Sequence, residues 1–274
     1  MAFSTLKLDF EGRVAILTLN RPEKRNAISP AMVEEIPAAL DEIERSPAQV
    51  VILTGAGKAF CSGMDLETLK GMAVRTGSEH HAQKGEIPQP SDANLADSRR
   101  MAQMFRRVYD FPKPLIAAVN GSALAGGCGL ATLCDFTLAV REAKFGYTEV
   151  RIGFLPAIVS VFLIRQIGEK KAREVMLAAQ IFDAAEAYRL GLVTEVVPPE
   201  KLMARAGELA RQLSDYSPTG LIFTKRFLTD LNKQELDREL ELAIRENARI
   251  RSTPDFYEGL TAFLEKRKPV WHRG

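Results

Sequence analysis

An α/β fold is predicted by three observations. Four short apolar, β-branched runs recur in the first half of the chain, at residues 14–19, 50–54, 115–119 and 136–140. Such runs, bounded by Gly, Pro or Asn, suit buried strands. A helix-type segment falls between the first two, and beyond Asp183 the pattern turns helical. The third observation is size: 274 residues suffice for one large domain or two small ones with a substantial core.

The elements follow in order. After the strand at 14–19, Ser29-Pro30 opens a helix, with Pro at its first position and Glu34 and Glu35 near the positive end of its dipole. It runs to about Arg45, and Pro37 in its second turn is a point of disturbance. The strand at 50–54 leads into Lys58-Ala59-Phe60-Cys61-Ser62-Gly63-Met64-Asp65-Leu66. Residues 71–97, rich in Gly, Ser, His, Lys, Gln and Pro, read as a long polar connection, either a lid or a mobile surface insertion. The strand at 115–119 leads into Asn120-Gly121-Ser122-Ala123-Leu124-Ala125-Gly126-Gly127-Cys128-Gly129-Leu130, and the strand at 136–140 follows. Asp183-Ala184-Ala185-Glu186 has the form of a capping box, Gly191 stops that helix, and 193–197 is a short strand. Four amphipathic helices are expected at 199–213, 218–231, 234–251 and 254–266. The expected division is a β/α core over 1–200 and a helical packing or assembly region over 201–274.

Composition narrows the function. A net charge of +2 gives no footprint for nucleic acid or an anionic membrane, and no stretch approaches the roughly 20 apolar residues of a membrane span. Cys61, Cys128 and Cys134 form no CxxC motif, and the histidines are only His80, His81 and His272. A disulfide framework and a metal site are therefore not expected, and a reducing cytoplasm is. Cys61 and Cys128 read as small packing residues.

The two glycine-bearing stretches carry the chemistry. Each follows an apolar run, and each can present bare backbone N–H groups to a ligand, because glycine lacks a Cβ and tolerates positive φ. Two such donors converging on one carbonyl oxygen form an oxyanion hole. Gly55-Ala56-Gly57-Lys58 is no P-loop, since Ile52 stands where the first glycine is needed. Ser62 and Ser122 lie beside these donors, but a serine hydrolase needs a histidine base, and no histidine sits on a predicted rigid element.

The ordered set of Asn20-Arg21-Pro22 through Asn26-Ala27-Ile28, both glycine stretches, Ala143-Lys144-Phe145-Gly146 through Glu149, Gly153-Phe154-Leu155-Pro156, Ala185 through Gly191-Leu192-Val193 and Phe263-Leu264-Glu265-Lys266-Arg267 resembles the crotonase, or enoyl-CoA hydratase/isomerase, superfamily over nearly the whole chain. The resemblance implies a spiral of repeated ββα units with a C-terminal helical region that packs trimers, often paired into hexamers. It places the oxyanion hole at the amides of Met64 and Gly126, holding the thioester oxygen of an acyl-CoA while the Cα proton leaves or arrives through an enolate. CoA is then the carrier of the substrate, and no cofactor or metal is required. Lys24 and Arg25 match a loop near the nucleotide, the backbone from Ala59 to Ser62 would meet adenine, and Phe263 with Lys266 match positions reaching CoA from a neighbouring subunit.

One departure matters. Typical hydratases of this superfamily share a water between two glutamates; here the first position is Gly129 and the second is Glu149. A single carboxylate suffices to carry a proton from Cα to Cγ, which favours double-bond isomerisation. Some members assigned as hydratases, methylglutaconyl-CoA-type ones included, resemble this chain in lacking the first glutamate, so hydration stays open. So does a CoA-thioester-binding protein without catalysis. Asp65 reads as a helix cap, Glu142 and Asp135 as structural. Acyl specificity is assigned to 71–97, Phe154, Ile158 and Phe162.

Overall fold

A computed structural model describes residues 3–75 and 89–271. Strands β1 (Leu6–Glu11) and β2 (Val14–Leu19) pair antiparallel. Helix α1 (Pro30–Arg45) starts as expected, its Met32 amide donating to Ser29 Oγ, and runs through Pro37 without interruption.

Three turns of a spiral then follow. Strands β3 (Val50–Gly55) and β4 (Ala59–Cys61) precede helices α2 (Leu66–Arg75) and α3 (Asp92–Tyr109). Strands β5 (Leu115–Val119) and β6 (Ser122–Leu124) precede α4 (Gly126–Thr132), and β7 (Phe136–Val140) and β8 (Lys144–Gly146) precede α5 (Ala157–Ala178). The first strand of each pair joins one sheet and the second joins another. After them come β9 (Phe182–Asp183), α6 (Ala184–Arg189) and β10 (Glu195–Val197), then α7 (Leu202–Ser214), α8 (Pro218–Asp230), α9 (Lys233–Ile250) and α10 (Pro254–Leu264). The larger sheet has the order β1-β2-β3-β5-β7-β10, parallel from β2 onward, and the smaller one β4-β6-β8-β9. This is the ββα spiral that the resemblance implied. Every residue of β3 and β5 is buried, as expected of parallel strands covered on both faces.

One expectation needs correction. Residues 71–97 are not one long connection: Gly71 lies inside α2, and α3 begins at Asp92. The Asn94 amide donates to Ser91 Oγ, and Asn94, Ser98, Met101, Phe105 and Val108 form a buried stripe at helical spacing that the polar start of the segment conceals. Residues 76–88, the middle of the stretch read as a lid or a surface insertion, lie outside the described residues, as do all three histidines. The expected helical region over 201–274 packs on the main core through Leu202, Ala206, Ala210 and Leu213 of α7 and Leu236, Leu240, Ala243 and Ile244 of α9.

Candidate active site

The two glycine stretches meet. Gly63 has φ +89°, and a Cβ there would stand 2.8 Å from the Ala125 Cβ and 3.6 Å from the Gly126 nitrogen, so only glycine permits this stacking of the loops. On one side of Met64, the Ile28 amide donates to the Gly63 carbonyl (2.8 Å) and the Asp65 amide to the Ile28 carbonyl (3.0 Å). Strand alternation therefore turns the Met64 N–H the other way, and among the described residues it donates no backbone hydrogen bond.

Ala125, between β6 and α4, has φ 51°, ψ −129°, a strained conformation for a residue with a side chain. Its carbonyl accepts the amides of Cys128 and Gly129, which leaves the Gly126 amide first in α4 with no acceptor in the helix. Met64 and Gly126 both line one cavity of about 590 Å³.

A network holds the first loop. The Arg21 guanidinium donates to the Ala27 carbonyl (2.6 Å) and to Asp65 Oδ2 (2.9 Å), while Asn26 Nδ2 donates to the carbonyls of Ala56 and Ala59. Asp65 Oδ1 accepts the Thr68 amide at 3.4 Å, so Asp65 caps α2, as its sequence position suggests, and is also one half of a largely buried ion pair. Asp65→Ala leaves Arg21 without that anion and removes the cap. The expected cost is about 3 kcal/mol, read from a urea unfolding midpoint, and turnover should fall because the Met64 amide adjoins the lost anchor.

Glu149 opens a 3-10 turn, Glu149–Ile152, just after β8. It is 7% exposed, lines the same cavity as Met64 and Gly126, and its Oε2 is buried with no hydrogen-bond partner. Burial pushes its pKa up to about 7, a carboxyl poised to hold or release a proton near neutrality.

The place of the missing first glutamate is filled. A Cβ on Gly129 would lie 2.4 Å from Val159 Cγ1 and 3.5 Å from Phe105 Cε1. Apolar side chains occupy the direction in which a second carboxylate would project. Sequence reasoning missed Val159 because it comes thirty positions later, on α5, in a plain apolar run.

The residues matched to CoA divide. Lys24, Arg25 and Ser62 gather at the exposed rim, where the Ser62 amide donates to the Arg25 carbonyl (3.1 Å) and Lys24 Nζ pairs with Glu67 (2.8 Å). Ala59 is buried in β4 and does not line the cavity, its carbonyl being taken by Asn26. Phe263 lines the cavity from this chain's own α10, which Phe256 seats against Phe154 with ring centroids 5.0 Å apart. Lys266 lies just past α10 and does not line it. Phe154 and Ile158 line the cavity; Phe162 instead packs on Tyr109.

Asp135 is structural, accepting from the Leu115 amide and Lys225 Nζ. All three cysteines are buried, and burial pushes each thiol up to about 12. A thiol reagent is therefore expected to label none of them in the native protein at neutral pH and all three after unfolding, counted by mass spectrometry. Among the described residues, no group of His, Cys, Asp and Glu could hold a metal, and no helix is long and apolar enough to cross a membrane.

Spiral and stacked amides together define a crotonase-type α/β protein. The family model of enoyl-CoA hydratase/isomerase matches residues 9–274, and the chain belongs to that family. It is similar to a Thermus thermophilus protein provisionally named an enoyl-CoA hydratase, 43% identical over 94% of this chain and 97% of the relative. It is also similar to the crotonyl-CoA hydratase of Syntrophomonas wolfei, 33% identical over 98% of both. Among solved structures, an enoyl-CoA hydratase/isomerase from Xanthobacter autotrophicus Py2 superposes with TM-score 0.85 at 33% identity, covering 96% of this chain and 94% of the other.

Proposed function

We propose that this chain acts on an acyl-CoA thioester through an enolate, with one carboxyl group carrying the proton. The observation that carries the reading is Glu149, buried and unpartnered at Oε2, in the same cavity as the free amides of Met64 and Gly126. The thioester oxygen accepts from the two amides, Glu149 removes a proton from the activated carbon, and the negative charge collects on the oxygen. Each amide donor aimed at that charge is worth about 2.7 to 4 kcal/mol. Lys24, Arg25 and Ser62 at the rim suit CoA phosphate and adenine, and Phe263 lines the same cavity.

The same carboxyl then returns its proton at Cγ, which moves the double bond. Val159 and Phe105 favour this step, because they fill the place of a second carboxylate that would help to activate water. The names of the relatives favour hydration by Glu149 alone as the second reading. Matched 2-enoyl and 3-enoyl thioesters offered in H₂O and D₂O separate them. A displaced double bond is expected, with deuterium, where the Glu149 carboxyl exchanges with solvent before returning the proton, confined to the receiving carbon; a 3-hydroxyacyl product as the main outcome assigns hydration, and CoA binding without turnover assigns a non-catalytic protein.

Assembly as a homotrimer or a hexamer belongs to the same proposal. Helix α8 buries none of its residues and exposes Phe223, Phe227 and Leu228, with exposed Leu231 just past its end, an apolar face suited to a partner subunit. Sedimentation equilibrium is expected to return three or six times the chain mass, and a monomer would contradict it.

A further inference from the structure

The cavity wall is mostly apolar, with two deeply buried polar side chains in it. Leu69, Met101, Phe105, Phe154, Ile158 and Val159 are among its apolar residues. The lining also includes Asn247, near the end of α9, and Arg251, just past it. Both are buried, at 5% and 2% exposure, unlike the exposed Lys24 and Arg25 that line the same cavity.

The geometry of these two side chains is fixed. Asn247 Oδ1 accepts from Ser98 Oγ (2.9 Å) and from Arg251 Nη2 (3.0 Å). A guanidinium nitrogen only donates, so the atom facing it is the amide oxygen, and Nδ2 points elsewhere. That nitrogen donates to no protein group among the described residues. Arg251 also pairs with Asp97 through Nη1, and its Cζ lies 5.8 Å from the centroid of the Phe154 ring. Asp97 in turn meets Arg100 at 3.4 Å, so a second cation shares its charge.

A pocket meant only for a hydrocarbon tail gains nothing from the Asn247 amide nitrogen, since an unmatched buried amide costs free energy. An acyl tail ending in oxygen can accept from it, with the Arg251 charge close by. We propose that Asn247 and Arg251 form a subsite for a carboxylate at the far end of the acyl group, so that the substrates are CoA monothioesters of dicarboxylic acids. The inference rests on reading the cavity as an acyl-CoA site and specifies its substrate class. Asn247 Nδ2 and the Arg251 guanidinium are hydrogen-bond donors of the type that carboxylates accept, and the charge of the second makes the bond stronger.

The test is binding of saturated thioesters, which needs no turnover. Succinyl-, glutaryl- and adipyl-CoA are titrated calorimetrically against butyryl-, pentanoyl- and hexanoyl-CoA, each pair differing by a terminal carboxylate in place of a methyl. At least one carboxylate member is expected to bind ~10-fold or more tightly than its alkyl twin, since polar groups left unmatched discriminate strongly. That preference should fall to near unity in Asn247→Leu, which keeps the bulk, and weaken in Arg251→Lys, which keeps the charge but loses the fork. Alkyl twins binding as well as or better than every carboxylate member of the wild-type series overturn the subsite while leaving the acyl-CoA reading intact. A preference unchanged in both variants, whatever their Tm, overturns it too and makes the cluster a clamp between α3 and α9. No binding by any thioester overturns both readings.

Discussion

Glu149→Gln is expected to give a folded protein that is slower by about 10² to 10⁴ and, at alkaline pH, more stable than its parent. The two effects have one cause. Burial lifts the carboxyl from its ordinary 4.5 to about 7. Between those values the folded protein keeps a proton that the unfolded chain has released, so rising pH favours unfolding. The penalty is absent below pH 4.5, grows across that window and is complete above pH 7. At about 1.4 kcal/mol for each unit of displacement it amounts to about 3 kcal/mol. Gln does not ionise, so the variant escapes it. Denaturant unfolding of both proteins at pH 4 and pH 8 should give curves that coincide at the first and separate at the second. A variant no more stable at pH 8 would show that Glu149 is not desolvated. In the wild type, kcat/KM should rise with pH and level off above about 7, because the free enzyme must present the carboxylate as base.

The second large effect concerns Gly129. Glu at this position restores the carboxylate that typical hydratases carry, yet its Cβ would sit 2.4 Å from Val159 Cγ1, a stiff β-branched side chain in a packed wall. The single change Gly129→Glu is expected to destabilise by about 1 to 3 kcal/mol through overpacking and to gain no hydratase activity. Adding Val159→Ala removes the closest atom, Cγ1. The double variant should regain part of the lost stability and yield more 3-hydroxyacyl product from 2-enoyl thioesters, measured as the ratio of hydrated to isomerised product. An unchanged ratio in a stable double variant would mean that the second carboxylate is not what separates the two chemistries here.

The sequence was most legible where one residue pattern has one physical meaning. The strand cores at 14–19, 115–119 and 136–140 coincide with β2, β5 and β7, because a continuous β-branched run has few alternatives to a covered parallel strand. Ser29, Asp183, Ser217 and Thr253 cap helices that start within a residue or two of expectation. The smaller sheet escaped notice because its strands are two or three residues long, below the length at which alternation can be read. Strand β1 escaped because only Leu6 is buried on it.

At the site, the glycines marked the two stretches, and the resemblance supplied Met64 and Gly126 within them and Glu149 in its motif. The supports could not be named in this way. Arg21 and Asp65 meet across forty-four positions, Val159 fills a gap left by Gly129, and Asn247 and Arg251 arrive from a helix that looks merely amphipathic. Such pairings depend on how distant turns of the spiral stack, and local periodicity carries no record of that.

The central claim is that the amides of Met64 and Gly126 hold a thioester oxygen while Glu149 moves a proton at the adjacent carbon. The direct measurement is exchange of the Cα protons of a saturated acyl-CoA in D₂O, followed by NMR. The wild type is expected to exchange one of the two protons, and Glu149→Gln to lose exchange in parallel with turnover. Exchange that persists undiminished in the variant, or is absent from a wild type that turns over enoyl thioesters, would contradict the account.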